Sequence, residues 1–127
     1  MECRLTENGR LVARRLVREP PFESDYDVAV IGLGTTGAVA FRTAVTEGLK
    51  VIGIEKYTGM GGLSTLGIVC FGGGLNQMLD DYERQASKGK VEYESVISEL
   101  YLEGEKIVGF GYFRNGVVHS VRTKQMI

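Results

Sequence analysis

A strand–turn–helix–strand pattern at residues 28–55 constrains the fold more than any other feature of the sequence. Residues 28–31 (VAVI) and 51–54 (VIGI) are short apolar runs, which are typical of strands buried on both faces of a parallel sheet. Between them, residues 36–47 are predicted to be helical, and Gly48 is a suitable helix end because glycine readily adopts the left-handed conformation. The block therefore predicts a βαβ unit, whose crossover is almost always right-handed.

The turn between the first strand and the helix, residues 32–37 (GLGTTG), has the spacing G-x-G-x-x-G. The first glycine permits a tight turn, the second lets the backbone approach a pyrophosphate, and the third lets the helix pack closely on the strand. The helix N-terminus then presents N–H groups and a positive dipole end to the anion. Because such turns also occur without a ligand, the position of the motif between a strand and a helix is what makes it indicate dinucleotide binding.

Glu55 closes the second strand, 21 residues after Gly34. A carboxylate at this point can accept hydrogen bonds from both hydroxyls of a ribose, and it would repel a phosphorylated ribose. The sequence therefore predicts a dinucleotide site that includes Gly32, Gly34, Gly37 and Glu55. The alternative is a purely structural βαβ turn.

Composition and charge exclude several other classes of protein. Glycine makes up 18 of the 127 residues, about twice the ordinary share of ~7%, and its uneven spacing excludes a collagen-like chain. The net charge of −1 argues against nucleic-acid binding, and no apolar run reaches the ~20 residues of a membrane span. Cys3 and Cys70 are far apart and histidine occurs once, so we expect neither a disulfide framework nor a metal site. Without a signal-peptide pattern, we expect a cytoplasmic protein.

Residues 1–25 are predicted to form an N-terminal extension. Asn8-Gly9 is a strong signal for a two-residue hairpin turn, since both positions tolerate a positive φ. The stretch 10–19 could instead form an amphipathic helix. The arginines of this extension are interleaved with glutamates, which is typical of a solvated face.

The C-terminal half changes to a period-two pattern, after a predicted helix at 75–86 and a polar joint at 87–90. Four short strands are predicted, at 91–93, 96–102, 107–113 and 117–123. The connections between the last three strands are too short for parallel crossovers, so these strands should form an antiparallel β-meander. Residues 126–127 read as the start of a further buried strand.

Residues 26–37 (YDVAVIGLGTTG), followed by 55–56 (EK) and 61–62 (GG), resemble the N-terminal cofactor segment of FAD-dependent oxidoreductases of the glutathione-reductase-like superfamily. The resemblance implies an α/β fold over residues 26–127. This would be a Rossmann-like βαβ FAD/NAD(P)-binding domain that carries an antiparallel three-stranded β-meander. Its parts would be 26–86 and 91–127, and the substrate domain that family members insert between them is missing.

The same resemblance implies a cofactor role for ten residues. Gly32, Gly34 and Gly37 would hold the FAD pyrophosphate, with Thr35 and Thr36 as hydroxyl contacts, and Gly61 and Gly62 would let a loop cross it. Glu55 would bind the adenosine ribose. Lys56 would lie beside the adenine, and the backbone at Ile97 would meet the adenine edge. Plainer roles stay open, because the threonines could simply open the helix, Lys56 could be solvated, and the Ile97 side chain could belong to the core.

The sequence also departs from the family pattern. Phe41 stands where a small side chain normally faces the sheet, so the helix should tilt or the ring should point elsewhere. Family members are several times longer and continue beyond Ile127, so we expect a fragment, a truncated product or a compacted relative. The catalytic residues and the small-molecule substrate are unknown, since Cys70 is isolated and His119 has no nucleophile at a recognisable spacing.

Three functions therefore stay open at the level of sequence. The first is the FAD-binding domain of a flavin-dependent oxidoreductase, and the second is an NAD-binding Rossmann domain. The glycine-rich loop after Glu55 favours FAD, because an NAD domain would have a regular helix there. The third is a non-catalytic remnant that associates with itself or another chain through an unpaired sheet edge, at the place of the missing last strand.

Overall fold

The computed structural model describes residues 1–8, 10–64, 84 and 88–127. Most of the helix predicted at 75–86 lies outside these residues, as do Cys70 and the glycines at 72–74.

The described residues include eight strands, an α-helix and one short 3-10 helix, and Arg84 is also helical. These are β1 (Glu2–Glu7), β2 (Arg10–Leu16), β3 (Ser24–Ile31), α1 (Thr35–Thr46), β4 (Val51–Ile54), the 3-10 helix (Gly62–Ser64), β5 (Lys90–Glu92), β6 (Val96–Glu103), β7 (Lys106–Arg114) and β8 (Val117–Met126). All eight strands belong to one mixed sheet in the order β2-β1-β6-β7-β8-β3-β4-β5. The pairs β8–β3, β3–β4 and β4–β5 are parallel, and all the other pairs are antiparallel.

The first predicted block has the expected order of elements. Strand β3 pairs in parallel with β4, with Val28 opposite Val51 and Ile31 opposite Ile54, and α1 connects them. The helix ends as predicted, because Gly48 adopts a φ of +78° just after it. The following residue then donates its N–H to the Ala44 carbonyl at 3.2 Å.

The N-terminal segment forms the predicted hairpin, and the helix considered for residues 10–19 is wrong. Strands β1 and β2 pair antiparallel, and Asn8 has the positive φ, +51°, that such a turn requires. Strand β1 also pairs with β6, so the hairpin extends the same sheet. Every residue of β2 is exposed, which explains how its arginines are tolerated.

At the end of the chain, strand β8 differs from the prediction. It is a single strand from Val117 to Met126, so no new strand starts at residues 126–127. Ile127 then continues along β3, donating to the Ala29 carbonyl at 2.9 Å and accepting from the Ile31 N–H at 2.8 Å. Strand β8 thus occupies the place beside β3, and the unpaired edge expected at the place of the missing last strand stays a prediction. The outer strands of the described sheet are β2 and β5.

The three C-terminal strands β6, β7 and β8 pair antiparallel in chain order. They do not form a separate layer, because β6 is paired with β1 on one side and β8 is paired with β3 on the other. Instead, side chains of β7 and β8 pack over one face of the parallel strands. This face carries the cluster of Tyr26, Ala29, Ile52, Ile54, Phe110, Tyr112 and Val121.

The opposite face of the parallel strands is covered by α1. Its cluster comprises Val28, Val30, Leu33, Ala38, Phe41, Ala44, Val51 and Met60. Phe41 is fully buried, and glycines provide the space for its ring. A Cβ atom on Gly53 would lie 3.1 Å from the Phe41 ring, and one on Gly89 would lie 2.5 Å from it. The bulky residue is thus accommodated by two missing side chains opposite it, a compensation that the spacing of the motif alone does not predict.

Candidate functional site

The glycine turn joins the end of β3 to the start of α1, and its three glycines are needed for different reasons. Gly32 has a φ of +85°, which glycine adopts more readily than other residues. Gly37 allows a close approach, because a Cβ there would lie 1.9 Å from the Gly32 carbonyl oxygen. Gly34 caps the helix with φ −65° and ψ −165°, and a Cβ there would meet nothing within 4 Å. A Cβ at Gly32 would likewise meet nothing within 4 Å, so the turn is open at Gly32 and Gly34 and closely packed at Gly37.

A cavity of about 430 Å³ lies beside this turn. Its wall is formed by the end of β3, by Gly32 and Gly34, by the first turn of α1 and by Ile127. Thr35 and Thr36 line it and are exposed, so the helix N-terminus faces accessible space. This is the part of a helix at which backbone N–H groups and the dipole favour an anion.

Glu55 lies at the end of β4 and is only 6% exposed. Its carboxylate accepts two main-chain hydrogen bonds: Leu33 N–H donates to Oε2 at 2.7 Å and Tyr57 N–H to Oε1 at 3.0 Å. A carboxylate offers about four acceptor positions, so each oxygen keeps capacity for a second donor. The predicted ribose ligand is therefore also a brace that holds the glycine turn against the loop after β4.

The Gly61–Gly62 loop packs directly on the glycine turn. Gly61 N–H donates to the Leu33 carbonyl at 2.7 Å, and the Thr35 hydroxyl donates to the Gly61 carbonyl at 3.3 Å. Gly62 has a φ of +54°, and a Cβ there would lie 3.0 Å from the Gly34 Cα. The structure thus brings Gly61 and Gly62 to the predicted turn, and it engages Thr35 through its hydroxyl group.

The remaining predicted residues are Lys56 and Ile97. Lys56 is exposed, and its Nζ lies 4.8 Å from the centre of the Tyr57 ring. Ile97 lies in β6, two residues after Ser95, whose N–H donates to the Glu55 carbonyl at 3.0 Å. The Ile97 side chain packs against the core cluster that contains Tyr112, so its side chain has the plainer of the two expected roles.

Sequence reasoning did not single out Tyr57 or the segment 92–95. Tyr57 is 52% exposed, and its main-chain N–H is bonded to the carboxylate of the candidate ribose ligand. Glu92 is 6% exposed and binds two cations, Lys90 at 3.0 Å and Arg114 at 2.6 Å. An acid in a three-residue strand gives no sequence signal of burial, since the arginine that pairs with it is 22 residues away.

The other chemically reactive side chains have structural surroundings. His119 stacks on Tyr112 at 5.1 Å between ring centres and contacts the Glu23 carboxylate at 3.1 Å. Cys3 is fully buried, and burial raises the pKa of its thiol. Burial also raises the pKa of Tyr101, to about 12, and its hydrogen bond to Glu99 acts in the same direction. None of these residues lines the cavity.

Within the described parts of the chain, no group of three or more His, Cys, Asp or Glu residues could hold a metal ion. No helix in these parts has the length and hydropathy needed to cross a membrane.

No family model matches the sequence. One curated protein, the digeranylgeranylglycerophospholipid reductase of Methanosphaerula palustris, is 44% identical over 39 residues. These residues make up 31% of this chain and 10% of that reductase.

Solved structures match over most of the chain. A geranylgeranyl bacteriochlorophyll reductase-like protein from Thermoplasma acidophilum has a TM-score of 0.60 at 19% identity, covering 81% of this chain and 38% of its own. The myxobacterial chondrochloren halogenase, a variant of FAD-dependent halogenases, has a TM-score of 0.60 at 16% identity, covering 81% and 36%. A 3-ketosteroid dehydrogenase from Rhodococcus jostii RHA1 has a TM-score of 0.65 at 13% identity, covering 83% and 45%.

This chain therefore spans less than half the length of each of these proteins. Its mixed sheet with one described helix is a fold that it shares with an FAD-dependent halogenase and with reductase and dehydrogenase structures.

Proposed function

We propose that this chain is the FAD-binding module of a flavin-dependent oxidoreductase and that it holds the ADP half of FAD at the glycine turn. One observation carries the proposal: the bare backbone of Gly34 faces open space beside the cavity, while the Glu55 carboxylate is bonded to the same turn. In this proposal residues 26–127 are a Rossmann-like domain with a β-meander, and the hairpin of residues 1–25 is an extension of its sheet.

The pyrophosphate would lie at the N-terminus of α1. Gly34 leaves its approach unobstructed, and the exposed hydroxyl of Thr36 stands at the cavity wall. A free Asp or Glu in the first helical turn would repel the phosphates, and this turn contains none. Gly61 and Gly62 would form the opposite rim, since the loop that carries them already contacts the turn.

The adenosine would lie beyond the end of β4. Glu55 keeps two acceptor positions after its bonds to the Leu33 and Tyr57 N–H groups, and these would accept the two ribose hydroxyls. Lys56 and the exposed Tyr57 ring would border the adenine, with the Ile97 backbone at its edge.

Bound FAD would supply the transfer of a hydride or an electron pair, while the protein supplies binding and orientation. The residues of this chain bind the nucleotide end and hold its ribose against a buried carboxylate. The reacting groups of the substrate would be oriented by parts of the enzyme that correspond to the remaining length of the related structures. The FAD dependence of the related halogenase supports the choice of cofactor.

Competition binding tests this proposal on the full chain. FAD should bind with one equivalent per chain, ADP should displace it, and FMN should not, because FMN lacks the half that this site would hold. NADH should compete no better than ADP. Tight NADH binding without flavin binding would instead favour the NAD-binding alternative.

A further inference from the structure

Strand β5 is the least supported part of the candidate ribose site. It is three residues long, and β4 is its only neighbour among the described strands. A short edge strand gains few ladder hydrogen bonds, so its position depends on additional contacts.

The segment that starts in β5 nevertheless determines where Glu55 lies. Glu55 N–H donates to the Glu92 carbonyl at 2.9 Å, and Ser95 N–H donates to the Glu55 carbonyl at 3.0 Å. Glu94 N–H donates to the Tyr57 carbonyl at 3.2 Å, and Glu94 itself has a φ of +52°. The main chain of Glu55 itself and that of Tyr57 are thus bonded to the segment 92–95.

A partly buried ion pair connects this segment to the far half of the sheet. The Glu92 carboxylate contacts Arg114 Nη1 at 2.6 Å and Lys90 Nζ at 3.0 Å. Arg114 ends β7, which is separated from β5 by three other strands in the sheet order. The contact is made because β7 and β8 pack over the face of the parallel strands on which Tyr26 and Tyr112 lie.

We infer that Glu92 and Arg114 are positioning residues for the Glu55 carboxylate, and therefore determine how strongly the site recognises the ribose of a bound adenine nucleotide. This inference rests on the proposed function. Without the ion pair, β5 keeps only weaker contacts with β7, and the Glu55 carboxylate no longer stays aligned with both ribose hydroxyls. Affinity for the phosphates at α1 depends mainly on the helix N-terminus and Gly34, so it should change less than the recognition of the ribose, although Leu33 of the same turn is bonded to Glu55.

The test compares two probes, ADP and 2′,3′-dideoxy-ADP, in displacement of FAD from the full chain. The ribose hydroxyls of ADP would donate hydrogen bonds to the charged Glu55 carboxylate. The wild type should therefore bind ADP about tenfold or more tightly than dideoxy-ADP. Glu92→Gln and Arg114→Gln should reduce this preference to about twofold or less, while affinity for dideoxy-ADP falls by a smaller factor than affinity for ADP. Arg114→Gln leaves Lys90 on the Glu92 carboxylate and keeps the test open if the first variant does not fold.

Glu99→Gln is the matched control, because Glu99 also pairs with an arginine, Arg15 at 3.1 Å, on the hairpin side of the sheet. It should keep the full preference for ADP. A folded Glu92→Gln or Arg114→Gln variant that retains the wild-type preference overturns the inference alone, because the ion pair is then merely structural. A folded wild type that binds neither FAD nor ADP overturns the proposed function and this inference with it.

Discussion

The main-chain N–H of Leu33 donates to the Glu55 carboxylate at 2.7 Å, which joins the middle of the glycine turn to the end of β4. The second carboxylate oxygen accepts the Tyr57 N–H at 3.0 Å. A residue expected to contact a ligand thus has a structural role before any ligand binds.

Replacing Glu55 should therefore destabilise the protein even without FAD. Glu55→Ala removes both acceptors and leaves the N–H groups of Leu33 and Tyr57 without them, which should cost about 2–4 kcal/mol in the free energy of unfolding. Urea denaturation followed by circular dichroism measures this change. Glu105→Gln, in the exposed turn between β6 and β7, is the control and should alter stability by less than about 0.5 kcal/mol. Equal stability of Glu55→Ala and wild type would show that the hydrogen bonds from the Leu33 and Tyr57 N–H groups to Glu55 contribute nothing to the free energy of unfolding.

Two glycines of the turn should respond differently to alanine. Gly37→Ala places a Cβ 1.9 Å from the Gly32 carbonyl oxygen, so the helix must move and stability should fall by about 1–3 kcal/mol or more. Gly34→Ala meets no atom within 4 Å and should cost less than about 1 kcal/mol of stability, the cost of alanine at an N-cap. It should still weaken FAD binding by about tenfold or more, since the methyl group enters the space proposed for the pyrophosphate. Thermal unfolding and FAD titration of both variants separate the two effects, and unimpaired FAD binding by Gly34→Ala would contradict the proposed location.

Substitutions at Phe41 and Gly89 should be strongly coupled in their effect on stability. Gly89→Ala places a Cβ 2.5 Å from the Phe41 ring and should cost about 1–3 kcal/mol of stability. In a Phe41→Leu background the same substitution should cost clearly less, because the ring atom that it meets is gone. A double-mutant cycle by urea denaturation measures the difference, expected at about 1 kcal/mol or more. Additive effects would mean that Gly89 is not required by the ring.

Stability should decline at alkaline pH through Tyr101. Burial, and then the hydrogen bond to Glu99, raise its pKa from 10.0 to about 12. The folded state therefore keeps the phenol proton at pH values where the unfolded chain loses it, so this contribution is complete below about pH 10 and is lost as the pH rises through about 12. Tyr101→Phe should flatten this part of the stability profile. Burial raises the pKa of Tyr112 in the same direction, so part of the slope should remain.

Short-range patterns predicted much of this fold. The apolar runs of β3 and β4, the helix stop at Gly48 and the Asn8 turn each depend on local conformational preferences, and the structure has all of them. The path of β8 was not predictable in this way. Lys124 and Gln125 interrupt its apolar alternation, but Lys124 is exposed and its ammonium contacts Asp27 at 2.6 Å, so the strand continues beside β3.

The candidate site likewise combines features that a local motif predicts with contacts that only the folded chain reveals. The glycine spacing and the distance to Glu55 follow from a local motif and were readable from the chain. The brace between Leu33 and Glu55, the tie between Glu92 and Arg114, and the glycines opposite Phe41 join residues that are distant in sequence. Such contacts arise only from the three-dimensional packing of the sheet.

Equilibrium dialysis of FAD against the full chain tests the central claim most directly. The sequence contains no tryptophan, so flavin absorbance and fluorescence report on the ligand with little interference. We expect one FAD per folded chain, displaced by ADP and weakened in Gly34→Ala. A chain that is folded by circular dichroism and retains no FAD at concentrations up to about 1 mM, a binding free energy weaker than about −4 kcal/mol, would contradict the account.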